Sequence, residues 1–283
     1  MAQFREFVSR AGHASVVLLE VIAFVWIGKK ALELATRTRF REELMVKDNP
    51  AAGVALSGFY IAIFLALSGL LSGEPGPLLV DLRLTAIHGA VAVLAIVLST
   101  FLWSPVAHVS LRDDILAKRN LGAGIVTASA LVATGLVYRG AVHLETVNPA
   151  HVGVFFALGE GALLFFLLLY EWVTPYDVAQ EIGEKANVAA AISFAGATLA
   201  AGLILGNAVE GAFTTWKESV TEALEYMIPV LALPLVRLVV VNGLFLGFGS
   251  VNREVVEDRN VAAGLVEAAA YVGIALFAVQ LLG

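Results

Sequence analysis

Long apolar blocks alternate with short polar connectors along the whole chain. Blocks such as 84–103, 152–170 and 227–248 meet the roughly 18–20 residues that an α-helix needs to cross the hydrocarbon core of a bilayer. A helix satisfies all its backbone groups internally, so it is the form such blocks take in lipid. The pattern predicts eight transmembrane helices in pairs. The first helix of each pair covers about 13–33, 83–106, 150–172 and 223–248, and the second about 50–71, 121–141, 188–208 and 261–281.

Each second helix opens on one recurring phrase: Asp48-Asn49-Pro50-Ala51-Ala52-Gly53, Arg119-Asn120-Leu121-Gly122-Ala123-Gly124, Ala186-Asn187-Val188-Ala189-Ala190-Ala191 and Arg259-Asn260-Val261-Ala262-Ala263-Gly264. The asparagines are spaced 120−49 = 71, 187−120 = 67 and 260−187 = 73. Asn is a preferred N-cap because its side-chain oxygen accepts from an orphan N–H of the first turn, and proline is tolerated at the first helical position. Small residues directly after the cap allow close helix–helix approach, on which packing in lipid depends. The polar connectors, with Glu33, Arg37, Arg41 and Glu42 at helical spacing, predict that the first helix continues beyond the lipid. Breakers at Gly73-Glu74-Pro75-Gly76-Pro77 and Asn148-Pro149 predict turns on the opposite face.

Charge sets the orientation. Connectors within the pairs hold twelve Lys and Arg: Lys29, Lys30, Arg37, Arg39, Arg41, Lys47, Arg112, Lys118, Arg119, Lys185, Arg253 and Arg259. The other face holds five: Arg5, Arg10, Arg83, Arg139 and Lys217. The positive-inside rule then makes the connectors cytoplasmic and puts both termini outside the cytoplasm. Units of two spans are necessarily parallel, related about the membrane normal rather than inverted. The expected fold is an all-α integral membrane protein of four parallel two-helix repeats, in halves of four helices at 1–142 and 143–283.

Composition agrees: 59% of residues are hydrophobic and 15% charged, against about 25% charged in soluble domains, and the mean hydropathy is +0.85. The chain has no cysteine, so any metal falls to His, Asp or Glu. A net charge of −6 without a polybasic run argues against nucleic acid as a partner. Glu20 inside the first apolar stretch argues against a cleaved signal peptide. Trp26, Trp103 and Trp172 fall near inner helix ends and Trp216 near the outer face, where aromatic belts form.

The Asn-x-Ala-Ala-Gly phrase, the two-span period and the pairing into halves, 187−49 = 138 and 260−120 = 140, give a resemblance to a bacterial inner-membrane family. The chain resembles two tandem copies of the family known as domain of unknown function 350, the YjfL-like proteins. That resemblance implies the fold and an inner-membrane location, and carries over no catalytic residue.

Ionisable residues inside a span cost roughly 2.5–3.5 kcal/mol on insertion scales and so call for a partner, a cavity or a function. Glu20, His88 and Glu160 lie on the first helices of three successive units, at similar depths below the outer surface. His13 and His151 fall on or just beneath that face. This imidazole–carboxylate set suits a transition metal such as iron or zinc, and a di-metal redox centre is a known use of such a bundle. The same residues suit proton-coupled or ion-conducting transport. A third reading is a scaffold without chemistry, whose amphipathic connectors bind a cytoplasmic membrane-stress partner, and self-association stays open beside all three. Arg237, Glu267 and Tyr271 form a second expected group, a buried ion pair with a phenol one turn away. Pro229 and Pro234 predict a kink in the seventh helix.

Overall fold

The computed structural model describes residues 2–71, 76–142, 148–211, 213–235, 239, 243 and 251–282, without the side chains of residues 2–9 and 282. All regular elements among the described residues are helical: α1 (Ala2–Thr36), α2 (Phe40–Met45), α3 (Pro50–Ser68), α4 (Leu78–Val106), α5 (Leu121–Val142), α6 (Pro149–Val173), α7 (Val188–Ala208), α8 (Trp216–Met227), α9 (Leu233–Leu235) and α10 (Val261–Leu282). Seven are long and apolar enough to cross a membrane: α1 from Arg10, α3 with its extension to Leu71, α4, α5, α6, α7 and α10. The chain is an integral membrane protein.

Sequence expectation and structure agree closely for these seven. They differ at two outer ends: α1 begins at Ala2 and α4 at Leu78, directly after Pro77, because nothing in either stretch breaks a helix. The expected span 223–248 lies largely outside the described residues. Its beginning is the amphipathic α8, capped by Thr215, whose side chain accepts from Glu218 N. At Pro229 the missing N–H removes a helical bond, and the chain tightens into a 3₁₀ turn over Ile228–Ala232. A kink is expected at Pro229 and Pro234, and the helix type changes at the first of them.

The second helices form a row, α3 on α5, α5 on α7 and α7 on α10. Their contacts are backbone against backbone: a Cβ on Gly124 would lie 2.6 Å from Ala51 O, and one on Gly135 2.6 Å from Ala62 O. The same holds between α5 and α7 (Gly206 to Leu136 O, 2.7 Å) and between α7 and α10 (Gly264 to Ala189 O, 2.6 Å). First helices lie over the grooves of this row, α4 against α3 and α5, α6 against α5 and α7, while α1 packs on α4 and α3. Their outer faces show Leu19, Trp26, Leu94, Phe101, Phe165 and Trp172, an apolar surface suited to lipid.

Each connector ends in the same polar knot. A residue with positive φ, Asp48 (47°), Arg119 (54°), Ala186 (50°) or Arg259 (48°), turns the chain. The asparagine after it then donates its backbone N–H six residues back, to Glu43 O, Asp114 O, Glu181 O or Glu254 O at 2.7–3.0 Å. Its side-chain oxygen caps the next helix, accepting from Ala52 N, Ala123 N, Ala190 N or Ala263 N. Its amide donates to the carboxylate six residues back in three cases, Glu43 (3.2 Å), Glu181 (3.0 Å) and Glu254 (2.8 Å). A lysine two residues before the asparagine pairs with that acid in the first three knots, as Lys47–Glu43, Lys118–Asp114 and Lys185–Glu181. Asp258 stands at the fourth.

The amides also tie neighbouring connectors together. Asn49 donates to Ile115 O (2.9 Å), Asn120 to Ile182 O (2.6 Å) and Asn187 to Val255 O (2.9 Å). Burial alone would push the Glu43 carboxyl up. The bonds from Lys47 and Asn49 and the charges of Lys47 and Arg119 outweigh it, so the group titrates below its usual range. Glu181 is lowered in the same way by Lys185, Asn187 and Arg259.

Candidate functional site

Where α4, α5 and α6 meet, the chain buries a carboxyl group midway along a membrane-spanning helix. Gly159 lets α6 approach α5 closely, since a Cβ there would meet Val137 Cγ1 at 2.5 Å. The next residue, Glu160, is 5% exposed. Its Oε1 accepts from Trp103 Nε1 (3.1 Å) and Thr134 Oγ1 (3.0 Å), and the indole N–H also reaches Thr134 Oγ1 (3.1 Å). Buried Ser99 brings a further hydroxyl to the carboxyl. Oε2 has no hydrogen bond of good geometry.

Trp103 is therefore not the belt residue that its place near the inner end of α4 suggests. It is 3% exposed and points into the bundle, whereas Trp26 and Trp172 are exposed. The connector folds beneath it, held by Ser104 Oγ donating to Val109 O (2.8 Å). A small crevice, about 10 Å³, runs from Val109 and Leu111 past Ser104, Thr100 and Thr127 to Trp103. That is about the space of one water molecule and far below that of an organic substrate.

On the side of the carboxyl away from the connectors, Tyr138 lies one turn beyond Thr134 and donates to His88 O (3.1 Å). His88 is fully buried and its Nδ1 has no partner. Farther from the connectors, His13 Nε2 meets Asp81 Oδ2 at 2.8 Å and ties α1 to α4. His151 is engaged elsewhere, stacked on Phe213 (3.7 Å between centroids) with Trp216 edge-on.

Glu20, His88 and Glu160 are expected at one level, but their neighbours differ. Ser99 and Trp103, the α4 residues that meet Glu160, lie 99−88 = 11 and 103−88 = 15 residues beyond His88. At about 1.5 Å per residue that is roughly 17–23 Å along the helix axis. Among the described residues no three His, Asp or Glu side chains come together. Glu20 on α1 keeps a buried Oε2 without a partner. Of the second expected group, Glu267 and Tyr271 are both fully buried on α10. Arg237 lies outside the described residues.

Thr134 and Trp103 are the site residues that the hydropathy pattern hides, one as an ordinary small polar residue and the other as a belt aromatic. The acid six residues before each asparagine is legible in the sequence, and so is the lysine two residues before the first three.

Fold and site together define a polytopic helical membrane protein with an intramembrane carboxyl set among indole and hydroxyl donors. A family model described as Domain of Unknown Function (DUF350) matches twice, over residues 6–142 and 144–282. The chain belongs to this family and carries two tandem copies of its domain. No curated protein and no solved structure matches it.

Proposed function

We propose that this protein moves protons across the bacterial inner membrane, with Glu160 as the group that takes up and releases them. In this reading it has eight spans in four parallel two-helix units, connectors in the cytoplasm and both termini outside. The observation that carries the proposal is the Glu160 carboxyl itself, buried in mid-membrane with Oε1 held by Trp103 and Thr134 and Oε2 unpartnered. A carboxyl kept there at the cost of desolvation is a functional group by default. Polar groups continue on both sides of it, through Thr100, Ser104 and the crevice inward, and through Tyr138, His88 and the His13–Asp81 pair outward. Of the classes the sequence admits, transport is favoured over a metal centre, because the neighbours of Glu160 are hydroxyl and indole donors rather than further imidazoles or carboxylates.

Purified protein in vesicles with an internal pH dye tests this. An imposed pH gradient or membrane potential is expected to drive a proton flux that Glu160→Gln lowers at least tenfold and Thr134→Val lowers less. A flux no greater than that of empty vesicles at every pH, or one that Glu160→Gln leaves intact, would overturn the proposal. A transition metal bound in stoichiometric amount and lost in Glu160→Gln would replace it with a metal-centre reading.

A further inference from the structure

The row of second helices is built by one contact used three times, and among the described residues it has two open ends. Residues two and thirteen places after the asparagine face the next helix, and residues four and fifteen places after it face the previous one. Thus Ala51 meets Gly124 and Ala62 meets Gly135; Gly122 meets Ala191 and Ala133 meets Gly202; Ala189 meets Gly264. Nine and eight places after the asparagine, Gly58 packs on Ala128 and Gly196 on Ala268.

On α10 the forward set is Ala262, Ala269 and Gly273, all exposed, and a Cβ on Gly273 would meet nothing within 4 Å. On α3 the backward set is Gly53, Ser57 and Phe64. Ser57 and Phe64 are exposed, and a Cβ on Gly53 would meet only Leu44 Cδ2, at 3.5 Å. The most apolar stretch of α7 is 78% buried, that of α10 only 33%.

The polar knots end in the same way. Asn49, Asn120 and Asn187 each donate to a carbonyl of the following connector, whereas the Asn260 amide reaches only its own Glu254 among the described residues. Ile115, Ile182 and Val255, the acceptors, each follow the acid of their knot. The corresponding residue of the first connector is Leu44, whose carbonyl takes no side chain among the described residues.

We infer that a second copy of this chain occupies the open face of α10, docking its own α3 there head to tail and in the same membrane orientation. Ala262 then meets Gly53 of the second copy, Ala269 meets Ser57 and Gly273 meets Phe64, while the Asn260 amide donates to the Leu44 carbonyl. Such a contact is heterologous, closing into a ring where the rotation allows and extending otherwise. One charge differs from the junctions inside the chain. Exposed Asp48 stands where Arg119 and Arg259 stand, so it faces Glu254 with like charge. Asp48→Arg is therefore expected to tighten the contact.

The absence of native cysteine makes cross-linking a clean test. Chains carrying only Ala269→Cys, mixed in vesicles with chains carrying only Ser57→Cys, are expected to form a disulfide dimer on mild oxidation that neither variant forms alone. Gly273→Leu, whose Cβ would meet nothing within 4 Å among the described residues, is expected to abolish this dimer and weaken association at least tenfold without changing the thermal midpoint of dissociated chains. Asp48→Arg should raise the dimer yield. A chain that is monomeric in both vesicles and mild detergent would overturn the inference. So would Ala269→Cys chains that cross-link to one another, because that contact is isologous.

Discussion

At the four knots Asp48, Arg119, Ala186 and Arg259 hold the left-handed conformation that glycine adopts most easily. A non-glycine residue there costs about 1–2 kcal/mol, partly offset by the backbone entropy it saves in the unfolded chain. Ala186 has neither charge nor hydrogen bond to lose. Ala186→Gly is therefore expected to stabilise the protein by about 0.5–1 kcal/mol, read as a raised midpoint in denaturant. The asparagines that follow are not equivalent. Asn187→Ala removes a cap, a bond to Glu181 and one to Val255, an expected loss of about 3 kcal/mol at roughly 1 kcal/mol each. Asn260→Ala, tested in dissociated chains, removes only the cap and the Glu254 bond and is expected to cost about 2 kcal/mol.

The acids beside these asparagines link stability to pH. Glu43 and Glu181 titrate below the ordinary 4.5 in the folded protein. Their stabilisation is therefore complete above that value and is lost as the pH falls through their lowered folded values. The melting temperature is expected to fall as the pH drops below 4.5, and to fall less steeply in Glu43→Gln/Glu181→Gln.

At the scale of the helix, small residues are required at some places and idle at others. A Cβ at Gly135 would press on the backbone of Ala62, which cannot yield, so Gly135→Ala is expected to cost about 1–3 kcal/mol. Gly161 on α6 has nothing within 4 Å, and Gly161→Ala is expected to be neutral or stabilising by up to about 1 kcal/mol. Denaturation of the pair in one detergent decides the matter.

The same distinction bears on what the sequence disclosed. Span boundaries and caps were legible because hydropathy and asparagine chemistry are local signals: the predicted starts at 50, 121, 188 and 261 are those of α3, α5, α7 and α10. Side-chain partnership across helices was not. Counting from the ends puts Trp103 at the interface and His88 level with Glu160, because counting assumes that helices start at one plane. Instead α4 is offset along α6, so that Ser99 and Trp103 reach the carboxyl.

For the whole molecule, conduction and self-association separate cleanly. Glu160→Gln is expected to abolish proton flux and leave cross-linking between Ala269→Cys and Ser57→Cys chains unchanged, whereas Gly273→Leu is expected to do the reverse to cross-linking. Measuring both properties on both variants in the same vesicles checks this.

The placement of Glu160 has a consequence for the two domains. The acid belongs to the second matched segment, and Trp103 and Thr134, its donors, belong to the first. Neither domain by itself contains the arrangement; it comes into being at the seam. Expressed as separate polypeptides, the two would each insert without it and recover it only on pairing. The second domain thus supplies the acid and the first its donors, so the two have divided a task that neither completes alone.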